Sequence, residues 1–91
     1  MVTKQEIENA LQQSDRWGVN SQPYLKDVLE FLLRVQQKCG LKHVNAEGAT
    51  LMFVTERPLT PSLAYEMAVL LSPDLPEEIR DEQTSFLLWW D

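Results

Sequence analysis

Apolar side chains recur along this chain with a period that changes several times, and each change marks the boundary of an element. Ile7, Ala10 and Leu11 follow helical spacing behind Thr3 and Glu6, whose three-residue separation is that of a capping box. They predict a first helix over about residues 4–14. Trp17-Gly18-Val19-Asn20-Ser21 breaks that period with a glycine and offers Asn or Ser as a cap, so it reads as a tight connection. From Gln22 to Cys39 the apolar positions Leu25, Val28, Leu29, Leu32, Val35 and Cys39 return to one helical face. Pro23 suits the first turn, Lys38 suits the negative end, and Gly40 stands where a left-handed C-terminal cap is wanted. Phe31 and Leu33 widen the stripe, which predicts contact with more than one neighbouring element.

The period then shortens. Residues 41–45 and 50–55 are rich in strand-favouring types and flank Ala46-Glu47-Gly48-Ala49, which predicts a β-hairpin. Within it Leu51-Met52-Phe53-Val54 is apolar without interruption, as expected of a strand buried on both faces. Thr60-Pro61 opens a third helix, with threonine as cap and proline at the first position, and Ser72-Pro73 closes it near Leu71. Leu63, Met67, Leu70 and Leu71 are its expected core face. Asp74 with Glu77 repeats a capping pattern and predicts a further helix to about Gln83. The tail, Phe86-Leu87-Leu88-Trp89-Trp90, is five large apolar residues in a row, preferred here as a strand pairing with Leu51–Val54. The expected architecture is a single α+β domain over residues 1–91, with three to four helices packed on a short antiparallel hairpin or sheet; the alternative is all-α.

Composition changes this picture little, since 44% apolar and 24% charged residues are those of an ordinary folding domain. Charge changes it more. The net charge is −6, and residues 46–91 carry nine acidic and two basic side chains, whereas residues 1–45 are nearly balanced. Such a field repels phosphate backbones and attracts cationic partners, so direct nucleic-acid binding is disfavoured. No apolar run has the length of a signal peptide or membrane span, and the single cysteine, Cys39, rules out an internal disulfide. Both features lead to the expectation of a cytoplasmic protein without a membrane partner.

Candidate chemistry is sparse. Cys39 and His43 could form a nucleophile pair or half a zinc site, but a metal needs further ligands, for which Glu47 is the nearby candidate. The same pair, joined by Glu47 or Glu56, is the enzyme alternative. Glu77, Glu78, Asp81 and Glu82 place four carboxylates within six positions, which fits a solvated or partner-facing acidic helix better than acid-base catalysis. Gly18, Gly40 and Gly48 are isolated, so no phosphate loop exists, and no catalytic residue, metal site or cofactor is assigned. Tryptophan and other aromatics serve as interface anchors, and Phe86, Trp89 and Trp90 adjoin the acidic segment. The expectation is a non-enzymatic protein-interaction module, an adaptor, regulator or inhibitor. It would bind a protein with a basic surface through Glu77, Glu78, Asp81, Glu82, Phe86, Trp89 and Trp90. Homodimerisation through the terminal strand is a further outcome. The alternative is a nucleic-acid mimic that blocks a DNA-binding protein.

Overall fold

Two threonines start helices in the same way. In the computed structural model, which describes residues 2–74 and 82–90, Thr3 Oγ1 accepts from the Glu6 N–H at 3.1 Å to open α1 (Lys4–Leu11). Thr60 Oγ1 accepts from the Leu63 N–H at 3.2 Å to open α3 (Pro61–Leu70), with Pro61 at its first turn. Each cap satisfies one N–H that the helix itself leaves without a partner. α1 stops short of the expected Ser14 because that side chain is used elsewhere. Ser14 Oγ and Gln22 Nε2 both donate to the Gly48 carbonyl, so two buried polar side chains find their partner in a distant turn.

The same anchoring delays α2, which spans Leu25–Cys39 rather than beginning at Gln22. Pro23 lies ahead of the helix, its carbonyl accepting from the Gly18 N–H at 2.9 Å. At the other end Gly40 takes φ 76° and its N–H closes on Val35 and Gln36. The left-handed backbone angle is what calls for glycine there, since the nearest atoms a Cβ would meet are those of the exposed Glu56 side chain, which can swing aside. The Gly40 carbonyl in turn accepts from the Glu56 N–H at 2.9 Å, which fixes the end of the hairpin against the helix.

The hairpin joins β1 (Leu41–Glu47) to β2 (Thr50–Thr55) through Gly48 and Ala49 alone, with Gly48 at φ 56°. β1 is therefore two residues longer than its strand-favouring composition predicts, because a two-residue turn holds Asn45, Ala46 and Glu47 in register. An irregularity between Leu41 and His43 lets both Leu41 and Val44 point inward despite their odd spacing. β3 (Ser85–Trp89) pairs antiparallel with β2, setting Phe86 against Phe53 and Leu88 against Leu51, and the sheet order is β1-β2-β3. The tail is thus a strand, paired where expected, and the all-α alternative falls.

α1 packs along β1, and α2 touches α1, α3 and β2, as the width of its apolar stripe predicts. Phe53 stacks on Phe86 at 4.9 Å and meets Phe31 edge-on at 6.0 Å, so one aromatic column joins α2, β2 and β3. Leu63, Met67 and Leu71 complete the core from α3, but Leu70 is exposed, since the helix turns it away from α2. Arg34 on α2 bonds Glu66 on α3 at 3.0 Å; the pair is partly exposed and contributes at most about 1 kcal/mol. Overall extents of 31 × 30 × 16 Å leave room for one sheet and one layer of helices. Most of the helix expected from Asp74 to about Gln83 falls on residues 75–81, outside the described residues, and Glu82 and Gln83 at its expected end are not helical.

Candidate functional site

Strand alternation decides which side chains the sheet offers to solvent. On β3, Phe86 and Leu88 point to the helices and Trp90 continues that side, being 2%, 0% and 5% exposed; Ser85, Leu87 and Trp89 point the other way. On β2 the inner set is Leu51, Phe53 and Thr55, and Met52 and Val54 join the outer set. On β1 the outer set is His43, Asn45 and Glu47. The register arranges the outer side chains as three rows across the sheet: Glu47–Thr50–Trp89, Asn45–Met52–Leu87 and His43–Val54–Ser85. Met52, Val54, Leu87 and Trp89 are neighbours in this grid and form an apolar patch edged by polar residues on β1. Leu87, at 54% exposure, is its most open member.

The edge of β3 is less open than its face. Asp74 donates its N–H to the Trp89 carbonyl at 2.8 Å, and Gln83 Nε2 donates to the Ser85 carbonyl at 2.6 Å. Both ends of the outer hydrogen-bonding row are occupied from within the chain, a device that discourages a further strand from adding there. The accessible surface of the strand is its face.

Of the residues expected to meet a partner, Phe86 and Trp90 are core. Trp90 stands edge-on to Trp17 at 5.8 Å and its Nε1 donates to the buried Leu71 carbonyl at 2.6 Å. Their part in the site is corrected for that reason: side chains this enclosed have no area to give. Trp89 is half-buried on the outer face, and Glu82 is exposed. Glu77, Glu78 and Asp81 lie outside the described residues. Met52, Val54 and Leu87 lie outside the expected set, although alternation through the tail holds Leu87 and Trp89 on one side once Phe86 is placed inside. In the run Leu51–Val54, Leu51 and Phe53 are buried while Met52 and Val54 are half-buried, and among the described residues no helix packs on their side of the sheet.

The Cys39–His43 pair does not meet. Cys39 is buried and its Sγ lies 3.3 Å from the Pro58 carbonyl, whereas His43 is exposed on the outer face of β1. Glu47 shares the outer face with His43 but not with the thiol, and Glu56 is exposed beyond the end of β2. Among the described residues no group of three or more His, Cys, Asp or Glu is placed to hold a metal ion, and no helix is long and apolar enough to cross a membrane. Comparison of the chain with protein-family models, with curated proteins and with solved structures gave no match.

Proposed function

We propose that this chain is a small acidic protein-interaction module, without catalytic activity of its own, that binds another protein on the outer face of its sheet. The observation that carries the reading is the contiguous apolar patch of Met52, Val54, Leu87 and Trp89 on a sheet that, among the described residues, is packed by helices on its other face. Antiparallel sheets with one solvated face ordinarily put polar residues there, and a tryptophan, a leucine and a methionine in neighbouring positions depart from that pattern. Trp89 supplies the large, stiff anchor that interface centres favour, and the acidic second half of the chain speeds encounter with a basic partner. A cytoplasmic setting belongs to the same reading, on the single unpaired Cys39.

Site-specific photo-crosslinking tests it. A photoreactive phenylalanine at position 87 should give one discrete protein adduct in the native host, whereas the same group at Lys26, exposed on α2, should give none. The purified partner should then lose at least about tenfold in affinity for Leu87→Asp, a change that places a charge in an apolar contact. Equal adducts from both positions would reject the outer face as the binding surface.

A further inference from the structure

We draw no further inference here: the strongest candidate, the apolar patch of Met52, Val54, Leu87 and Trp89 on the outer face of the sheet, belongs to the surface already described, and nothing in the structure shows what covers it.

Discussion

The two faces of β3 are built from the same kind of residue and do different work. Phe86, Leu88 and Trp90 are buried, whereas Leu87 and Trp89, equally apolar and one position away, are exposed or half-buried on the side of the sheet where, among the described residues, no helix packs. Phe86 stacks on Phe53, and Trp90 Nε1 reaches a buried carbonyl; Leu87 faces water across half its surface. Burial against a packed layer returns about 25 cal/mol for each Å² of apolar area removed from water. An open face returns only what adjacent strands cover. Apolar character on the inner side is therefore accounted for by folding, and on the outer side the described residues account for it only in part. That difference is the physical ground for assigning the outer side to a partner.

Substitutions at matched positions would break or sharpen the contrast. Phe86→Ala should be the most damaging, costing about 3–5 kcal/mol through the cavity beneath Phe53, and urea denaturation should show a variant that is largely or wholly unfolded. Trp90→Phe keeps an aromatic side chain but replaces the indole and its N–H donor to Leu71 with a smaller phenyl, and the orphaned buried carbonyl should cost about 1–3 kcal/mol with no change in secondary structure by CD. Met52→Ala, on the outer face between Asn45 and Leu87, should lose only its cross-strand contacts, about 0.5–1 kcal/mol by the same denaturation assay. Leu87→Asp gives up the other side of that same contact and puts a strand-disfavouring residue on β3, so it should cost no more than about 1 kcal/mol, well below the inner-face changes. An outer-face cost equal to the inner one would mean that folding already uses this face.

Much of the architecture is legible in the sequence because local chemistry and global packing agree. Thr3, Thr60-Pro61 and Gly40 mark helix ends that the structure keeps, and the hairpin and the pairing of the tail with Leu51–Val54 are where composition places them. What was not legible has two causes. In Leu51–Val54 and Phe86–Trp90 both alternating sets are apolar, so no period tells which set faces the core, and register with α2 and β1 makes the choice. The tail therefore reads as one apolar run that could seal the core or anchor a partner, and the sequence does not separate buried Phe86 and Trp90 from exposed Leu87. The second cause is sequence distance. Ser14 and Gln22 are polar residues that solvent-facing patterns would place outside, yet they bond a carbonyl more than twenty residues away and shorten both flanking helices. Nothing local to either residue announces that contact.

The most direct test of the account is urea denaturation of Phe86→Ala and Leu87→Asp measured side by side, with the photo-crosslink at position 87 as the paired readout. The account predicts a lowered midpoint or an unfolded chain for Phe86→Ala. It predicts a midpoint much closer to wild type for Leu87→Asp and, in wild type, a discrete adduct at position 87. Leu87→Asp unfolding as readily as Phe86→Ala, or a stable fold with no adduct at position 87, would contradict it.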